Sequence, residues 1–496
     1  MSEFVLALDQ GTTSSRAILF DRTSRNVAQS SQEVRPLFPQ PGHVEQDPNE
    51  LWSTLLEAAR RTLEKNGTSG QQIAAIGLTN QRETSIIWDR KTGVPISNAV
   101  VWQSRITAPE CARLKAAGHE PLIRDKTGLR LDPYFSATKI GWLLDREPGL
   151  RHRAERGDLL FGTVDTFLLW RLTSGAVHAT DITNASRTLL WNLREGCWDE
   201  ELLEIFRVPR ALLPEVRSCS EIYGVTDRKW LGAELPIAGV AGDQQAATFG
   251  QQCFQPGMVK NTYGTGCFAV MNTGQETVTS QAGLLTTMAW RIGSQSTFAL
   301  EGAIFVAGSV VQWLRDGLRV IQSAAESEHH ARQVPDNGGV YLVPAFVGLG
   351  APHWDSQARG AIFGLTRGAT LDHLCRAALE SIAFQTRDVL DAMQADAELA
   401  IPALRVDGGA TANDLLMQIQ ADVLGIPVHR PKTLETTALG AAYLAGLAVG
   451  FWTDTGDLAA NWQLDRIFEP TISTDQRETW YENWQKAVSR TKHWLD

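Results

Sequence analysis

Near the N terminus, an acidic and a basic residue flank a turn of small polar residues. Asp9 ends the apolar run FVLAL, and Arg16 precedes a second apolar run. Between them lie one glycine and four hydroxyl residues, Gly11, Thr12, Thr13, Ser14 and Ser15. Glycine lets backbone amides approach phosphate oxygens, and hydroxyls add neutral donors. A carboxylate beside phosphate implies an intervening Mg²⁺, and Arg16 would neutralise a phosphoryl group in transfer. This pattern predicts a hairpin that binds a nucleoside triphosphate with magnesium at Asp9; the alternative is an ordinary β-turn.

The same arrangement recurs about half a chain later. The segment VKNTYGTGCFAVMNT, residues 259–273, again reads as an apolar strand, a polar turn and a second apolar strand. Gly264-Thr265 takes the place there that Gly11-Thr12 takes in the first unit. Two related domains, each presenting a glycine-bearing hairpin to one cleft, would explain the repeat. Chance similarity between two hairpins is the alternative.

A third glycine-rich turn follows in VDGGATANDLL, residues 406–416. Two glycines come after a predicted strand, and Asn413 or Asp414 opens a helix. The N terminus of a helix suits a nucleotide phosphate. A plain strand–helix turn with a capping asparagine would look the same. The occurrence of all three turns in this order favours a nucleotide site.

Asp243 lies where a predicted strand passes into a helix, in IAGVAGDQQAATFG, residues 237–250. From the residues alone, the favoured interpretation is a helix N-cap. The alternative is a general base that takes a proton from a hydroxyl as its oxygen attacks phosphorus.

Candidate substrate-binding residues follow another buried strand. Arg82 and Glu83 occur in TNQRETSIIWD, residues 79–89, where paired charges indicate either function or a salt-bridged strand end. Trp102 and Tyr134 lie near turns, and core packing is the default for both in a chain with 16 tryptophans.

Short apolar runs alternate with amphipathic segments along the whole chain, which predicts an α/β fold. The predicted strands are residues 4–8, 73–78, 84–88, 237–242, 339–346 and 404–409. A helix is predicted after Asp47, with that residue as its cap and Pro48 in its first turn. Further helices are predicted from Asp372 to about Met393 and within residues 438–452.

Bulk composition excludes several classes of protein. At 496 residues the chain is too long for one core, so two domains are expected. A net charge of −10 without a basic run argues against nucleic-acid binding. The six cysteines form no CxxC pair, which argues against a zinc site or a disulfide framework and fits a cytoplasmic enzyme. No signal peptide is predicted, and the 15-residue stretch 438–452 is too short for a membrane span.

With these segments in place, the sequence resembles the FGGY family of carbohydrate kinases over essentially its whole length. The matching segments include LDQGTTSSR, GLTNQRET, VVWQSR, DPYFSATK, AGDQQAA, NTYGTGC, GLGAPHWD and VDGGATAN. The wording NQRE, GDQQAA and YGTGCF favours the members that phosphorylate glycerol over those that phosphorylate pentoses.

The resemblance implies two ribonuclease H-like domains of the actin and hexokinase type, closing on ATP, Mg²⁺ and glycerol. The expected domains are residues 1–248, with the polyol and phosphate site, and 249–496, with the nucleotide site. Asp243 becomes the expected base, which reverses the N-cap interpretation, and Asp9 the metal-associated acid. The implied phosphate contacts are Thr12, Thr13, Ser14 and Arg16. The implied glycerol contacts are Arg82, Glu83, Trp102, Tyr134, Asp243, Gln244 and Phe268. The implied nucleotide contacts are Thr265, Gly308, Gln312, Gly409 and Asn413.

The implied activity is that of an ATP:glycerol 3-phosphotransferase, in a cytoplasmic homo-oligomer, dimer or tetramer. Two regulatory modes of relatives are not expected. The stretch TDRKWLGAELP, residues 226–236, lacks a glycine-rich loop for fructose 1,6-bisphosphate, and no regulatory histidine lies nearby. The rivals are another FGGY kinase acting on a pentose, ketose or polyol, an actin- or Hsp70-like ATPase, and an inactive sensor. The short tail disfavours the ATPase, and the occupied polar positions disfavour the sensor.

Overall fold

The computed structural model describes residues 2–495. Its framework consists of a six-stranded and a seven-stranded sheet with helices packed against them.

The elements up to residue 250 comprise the first sheet, small two-stranded sheets and ten helices. The strands are β1 (Phe4–Gln10), β2 (Ser14–Asp21), β3 (Asn26–Glu33), β4 (Glu45–Gln46), β5 (Ile73–Asn80), β6 (Ile86–Asp89), β7 (Ala99–Val100), β8 (Leu159–Gly162), β9 (Ala179–Asp181), β10 (Trp191–Asn192), β11 (Cys197–Trp198), β12 (Glu215–Arg217), β13 (Ser220–Val225) and β14 (Pro236–Gly242). The helices are α1 (Pro48–Lys65), α2 (Ala108–Ala116), α3 (Glu120–Thr127), α4 (Ser136–Leu144), α5 (Leu150–Glu155), α6 (Val164–Leu172), α7 (Ile182–Ala185), α8 (Glu200–Phe206), α9 (Arg228–Leu231) and α10 (Asp243–Gly250).

The later elements comprise the second sheet, one two-stranded sheet and seven helices. The strands are β15 (Val259–Tyr263), β16 (Cys267–Gly274), β17 (Leu285–Ile292), β18 (Gln295–Ile304), β19 (Tyr341–Val343), β20 (Ala361–Phe363), β21 (Leu404–Asp407), β22 (Val428–Pro431) and β23 (Leu464–Phe468). The helices are α11 (Gly308–Gln312), α12 (Ala324–Ala331), α13 (Leu371–Ala397), α14 (Asp414–Leu424), α15 (Thr436–Ala448), α16 (Thr455–Asn461) and α17 (Thr474–Thr491). A π-helical turn, Trp313–Gly317, continues α11, and a 3₁₀ turn, Gly409–Ala412, precedes α14.

The two large sheets share one strand pattern. The first has the order β13-β14-β5-β1-β2-β3, in which β1, β5 and β14 are parallel and β1–β2–β3 is an antiparallel meander. The second has the order β17-β18-β16-β15-β21-β22-β23, in which β15, β21 and β22 are parallel and β15–β16–β18 is antiparallel. The hairpins β1–β2 and β15–β16 occupy equivalent places, so the internal repeat seen in the sequence corresponds to a repeated fold. The boundary at residues 248/249 stays a prediction.

All six predicted strands form. The one predicted at 84–88 spans Ile86–Asp89, and two others are clearly shorter than predicted. Residues 339–346 form a strand only over Tyr341–Val343, because Pro344 has no backbone N–H to continue the pairing and the chain turns there. The strand predicted at 404–409 ends at Asp407, because Gly408 adopts a φ of +91°, outside the range of a strand.

The predicted helices also form. Asp47 caps α1 by accepting a hydrogen bond from the backbone amide of Asn49 at 2.8 Å. Helix α13 covers the predicted stretch and extends beyond it at both ends. Helix α15 begins two residues before the predicted stretch 438–452 and ends within it, and it packs against β1, β5 and β14 of the first sheet, although it comes late in the chain.

None of the helices found between residues 2 and 495 combines the length and apolar character that a membrane crossing requires.

Candidate active site

The first hairpin brings together the charged groups that its sequence predicted. Asp9 on β1 faces Arg16 across the hairpin, and the Arg16 Nη2 atom lies 3.4 Å from the Asp9 Oδ2 atom. Arg16 Nη1 donates to Glu435 Oε2 at 2.7 Å, just before α15 begins. The guanidinium is therefore held between a carboxylate of each half of the chain, with 38% of its side chain exposed.

Asp9 lies in surroundings that favour a cation. Only 2% of the residue is exposed. Burial raises its pKa to about 6; Arg16 opposes this rise, and the nearby carboxylates of Asp243 and Glu435 add to it. Across residues 2–495, no cluster of three or more His, Cys, Asp or Glu side chains could hold a metal by itself. A single carboxylate fits Mg²⁺, which commonly takes one or two protein carboxylates and fills its other positions with phosphate and water.

Three aromatic residues connect the first hairpin to the second. Trp102 Nε1 donates to Thr12 Oγ1 at 2.9 Å. The Trp102 ring lies edge-to-face with Tyr134 at 5.5 Å and with Phe268 at 6.4 Å between centroids. Phe268 is on β16, directly after the turn of the second hairpin. The structure therefore places these predicted substrate contacts together, rather than in separate parts of the core.

Arg82 is the centre of a buried charge cluster. Its Nη1 and Nη2 atoms donate to the two oxygens of Glu301 at 2.5 and 3.0 Å. Nη1 also donates to Gln245 Oε1 at 3.1 Å and Nη2 to the Tyr134 hydroxyl at 3.4 Å. Its Nε atom lies 3.3 Å from Asp243 Oδ1. Glu301 is on β18 of the second sheet, so Arg82 is held from both halves of the chain.

Glu83 is fixed beside Arg82 in an unusual backbone conformation. Its φ is +62°, which is uncommon for a residue other than glycine and is often found at functional sites. Arg187 Nε donates to Glu83 Oε1 at 2.7 Å. The Glu83 carbonyl accepts from Ser136 Oγ at 3.0 Å and from Lys139 Nζ at 3.4 Å. These bonds stabilise the left-handed turn and fix the direction of the carboxylate.

The structure corrects the interpretation of Asp243 as a helix cap. Gly242 holds the N-cap position, and Asp243 is the first residue of α10. Asp243 Oδ1 accepts from the neighbouring backbone amide of Gln244 at 2.7 Å. Burial raises the pKa of Asp243, whereas Arg82, the Gln244 amide and Lys260 act to lower it. Of the Asp243 side chain, 29% remains exposed. A half-buried carboxylate beside an arginine can both accept a proton and orient a hydroxyl.

Lys260 fixes the neighbouring amide. Its Nζ atom donates to Gln244 Oε1, to Thr262 Oγ1 at 2.9 Å and to the Phe268 carbonyl at 3.2 Å. Because the amide oxygen of Gln244 accepts from the lysine, its NH₂ group is left to donate. Burial lowers the pKa of Lys260.

The predicted nucleotide contacts lie in the turn of the second hairpin and in the short helical segments that follow β18 and β21 of the second sheet. Gly308 donates from its backbone amide to the Gly264 carbonyl at 3.0 Å, and the Thr265 carbonyl accepts from the Ser309 amide at 3.1 Å. A Cβ at Gly308 would lie 2.5 Å from the Gly264 carbonyl oxygen, so only glycine fits there.

The glycine turn before α14 lies beside the same hairpin. A Cβ at Gly408 would lie 2.5 Å from the Tyr263 carbonyl oxygen, whereas Gly409 faces open space. Asn413 caps α14 through a 2.8 Å bond from the Leu416 amide, which is the capping role that the alternative interpretation of this turn gave it. Gln312 ends α11, one turn after Gly308, and is exposed.

The predicted residues therefore form two sets. We call Arg82, Glu83, Tyr134, Asp243 and Gln244 the polyol side, and Thr265, Gly308, Gln312, Gly409 and Asn413 the nucleotide side. The first hairpin and Trp102 lie next to the polyol side. The roles of all these residues stay predictions.

Sequence reasoning missed four charged residues of this site: Arg187, Lys260, Glu301 and Glu435. The signal for two of them was a charge inside a strand-like apolar run, Lys260 in MVKNTY and Glu301 in FALEGAIF. Arg187 and Glu435 carried no such local signal.

Comparisons with known proteins show the family to which the chain belongs. The model of the FGGY family N-terminal domain matches residues 4–250, and that of its C-terminal domain matches residues 259–449. The chain belongs to the FGGY family of carbohydrate kinases. Glycerol kinase 2 of Thermotoga maritima is 57% identical over 492 residues, 99% of each chain. Glycerol kinase of Caldanaerobacter subterraneus subsp. tengcongensis is 58% identical over 100% of each chain.

A solved structure of an FGGY kinase has the same fold. The crystal structure of Plasmodium falciparum glycerol kinase with ADP superposes with a TM-score of 0.93 at 35% identity, covering 99% of this chain and 98% of that one. The predicted actin- and hexokinase-like architecture with two FGGY domains is therefore confirmed, and the chain is a phosphotransferase of this family.

Proposed function

We propose that the chain transfers the γ-phosphoryl group of ATP to a terminal hydroxyl of glycerol, forming sn-glycerol 3-phosphate and ADP. The observation that carries the proposal is the placement of Asp243. Its carboxylate is half-buried, lies 3.3 Å from Arg82 Nε, and is close enough to Asp9 to raise the pKa of that residue. The name glycerol kinase, carried by relatives 57% and 58% identical over nearly the full length, supports glycerol as the acceptor.

Asp243 would accept the proton of the reacting hydroxyl. Arg82 and the Gln244 amide hold one of its oxygens, which fixes the direction of the other. Phosphoryl transfer depends more on orientation and charge stabilisation than on a strong base, so a carboxylate is sufficient.

The remaining hydroxyls of glycerol would bind to Glu83, to the Gln244 NH₂ group and to the Arg82 N–H groups with the longest protein contacts, 3.4 Å to the Tyr134 hydroxyl and 3.3 Å to Asp243. Trp102, Tyr134 and Phe268 would cover the carbon chain, because their rings already pack together at this place. A small polyol buries little apolar area, so discrimination must come from hydroxyl partners that an incorrect substrate leaves unpaired.

On the phosphate side, Thr12, Thr13, Ser14 and Arg16 would bind the transferred group. The magnesium ion that accompanies ATP would be held by Asp9 and would offset the negative charge of the phosphates. Arg16, fixed by Asp9 and Glu435, would stabilise charge on the phosphoryl group during transfer.

A coupled assay of ADP formation with MgATP tests the proposal, using glycerol, xylulose, ribulose and gluconate as acceptors in parallel. We expect turnover with glycerol to exceed that with each other acceptor by at least about a hundredfold. Equal or faster turnover with a pentose or with gluconate would reject glycerol as the substrate. ATP hydrolysis without acceptor measures how well the site excludes water.

We further propose that the chain acts in the cytoplasm as a homo-oligomer, dimer or tetramer. Light scattering coupled to size exclusion decides the assembly state. Assays with and without fructose 1,6-bisphosphate test the expected lack of response, which the absence of a glycine-rich sequence at residues 226–236 supports.

A further inference from the structure

The two Nη groups of Arg82, which form the forked face of its guanidinium, already donate to a protein carboxylate before a substrate binds. A guanidinium has five N–H donors in a fixed plane, and the pair on its outer edge is what a carboxylate binds in bidentate fashion. In Arg82, Glu301 takes this pair at 2.5 and 3.0 Å. Gln245, Tyr134 and Asp243 lie against the remaining donors.

Glu301 is well suited to hold this position permanently. It is 0% exposed, and it also accepts from Arg187 Nη2 at 2.9 Å. Burial alone would raise the pKa of Glu301, but Arg187 and Arg82 lower it to about 2. Glu301 is therefore ionised throughout the neutral range, and a competing anion would have to displace a paired, buried charge.

The other cations around the polyol side are committed to protein acceptors as well. Lys139 donates to the Tyr134 carbonyl at 2.6 Å and to the Glu83 carbonyl at 3.4 Å. Lys260 donates to three oxygens of the second hairpin and α10. The Arg187 Nη1 atom has no hydrogen-bond partner among the described residues, but the side chain is fully buried, and its Cζ atom lies 5.5 Å from the Tyr134 ring centroid.

We propose that Glu301 determines specificity for uncharged polyols, because it occupies the face of Arg82 that the carboxylate of an acidic substrate would otherwise bind. The inference rests on the proposed function, since it concerns the substrate class of the same site. Glu301 is a positioning residue: it acts through Arg82.

The decisive comparison is between glycerol and D-glycerate, which has a carboxylate in place of one CH₂OH group. In Glu301→Gln the side chain keeps its shape but loses its charge and turns an NH₂ donor toward an N–H of Arg82. We expect the KM for glycerol to rise about tenfold with the KM for ATP unchanged. D-glycerate should inhibit competitively with glycerol. We expect the ratio of its inhibition constant to the KM for glycerol to fall at least about tenfold in this variant.

Glu380→Gln is the matched control. Glu380 is also a buried glutamate paired with an arginine, Arg376 at 2.6 Å, and with Asn337 at 2.7 Å, but it lies on α13. This variant should lose stability without a change in the ratio of D-glycerate to glycerol binding. An equal change of that ratio in both variants would mean that general destabilisation, rather than Glu301, sets selectivity.

Two measurements keep the inference falsifiable if Glu301→Gln does not fold. The wild-type chain should bind D-glycerate at least about a hundredfold more weakly than glycerol by calorimetry; a ratio within tenfold overturns the inference. Glu301→Asp, which keeps the charge, should still exclude D-glycerate, and loss of that exclusion also overturns it. Wild-type turnover with glycerol separately tests the proposed function, so the two failures are distinguishable.

Discussion

The polyol side and the nucleotide side of the site are formed by different kinds of chemical group. On the polyol side, Arg82 and Glu83 are nearly fully buried and are held by charged side chains from both halves of the chain. On the nucleotide side, Thr265 and Gly409 are exposed, and backbone amides, carbonyls and glycines define the shape. A small neutral substrate can make few contacts, so its protein partners must be fixed in advance. A triphosphate is long and highly charged, so it can bind to backbone groups of exposed turns. Changes on the two sides should therefore affect different kinetic constants.

The largest effect is expected from Asp243→Asn, which keeps the shape of the side chain and removes the base. We expect kcat to fall about a thousandfold, because general base catalysis contributes on this scale. Glycerol affinity, measured by calorimetry, should change little, since an amide oxygen can still face Arg82. Asp227→Asn, at the cap of the exposed helix α9, is the control for losing a carboxylate at a helix start. Turnover within tenfold of the wild type would contradict the assignment of Asp243.

Arg16→Gln tests the phosphate side. We expect kcat/KM for ATP to fall about a hundredfold, because one charged donor to the phosphoryl group is lost, while glycerol affinity stays the same. Arg25→Gln is the control, since Arg25 pairs with Asp21 at the other end of the first hairpin, 2.7 Å away. A loss of glycerol affinity equal to the loss for ATP would show that the two sides are not separable at this residue.

Gly308→Ala should act on the nucleotide side alone. Its new Cβ would lie 2.5 Å from the Gly264 carbonyl oxygen, so the second hairpin turn must shift. We expect the KM for ATP to rise about tenfold, equivalent to about 1.4 kcal/mol, with the KM for glycerol unchanged in the coupled assay. Gly368→Ala, where a Cβ meets only Thr366 Oγ1 at 3.8 Å, should leave both constants unchanged. An unaltered KM for ATP in Gly308→Ala would remove this turn from the nucleotide side.

The smallest effect should come from Trp102→Phe, which keeps an aromatic ring but loses the 2.9 Å bond to Thr12 Oγ1. One hydrogen bond contributes about 1 kcal/mol, so we expect kcat/KM to fall about fivefold. Because Trp102 contacts both hairpins, the loss should be shared between the KM for glycerol and the KM for ATP. Trp191→Phe is the control, since Trp191 Nε1 is buried without a partner in the described part of the chain. A change in one constant alone would assign Trp102 to a single side.

The sequence predicted the elements that carry the site better than it predicted the contacts inside it. Both glycine-bearing hairpins, the capped helix α1 and the Asn413 cap follow from local patterns of apolar residues, glycine and capping residues. The strand at 339–346 was too long because its apolar run hides the effect of Pro344. The cap of α10 was misassigned because Gly242 and Asp243 both suit that position, and only the backbone geometry distinguishes them.

The contacts that the sequence did not predict are those between residues far apart in the chain. Glu301 pairs with Arg82 across 219 positions and Glu435 with Arg16 across 419. Residue spacing along one strand reports which face a side chain takes but not which side chain it meets in another sheet. For Lys260, the charge inside the apolar run MVKNTY signals an unusual position, but it does not show that the lysine binds Gln244 of α10.

Helix α15 has a consequence for how the chain is made. It lies so close to the first sheet and α10 that a Cβ at Gly77 would collide with the Ala441 carbonyl, and one at Gly250 with the Thr436 carbonyl. During synthesis the strands of that sheet emerge from the ribosome long before residue 436 does. Domains that are complete early can fold as they emerge, but here one face of the first sheet is covered only after a helix from a much later part of the chain has been made. Strands β1, β5 and β14 are thus translated before α15 but reach their final packing only with it.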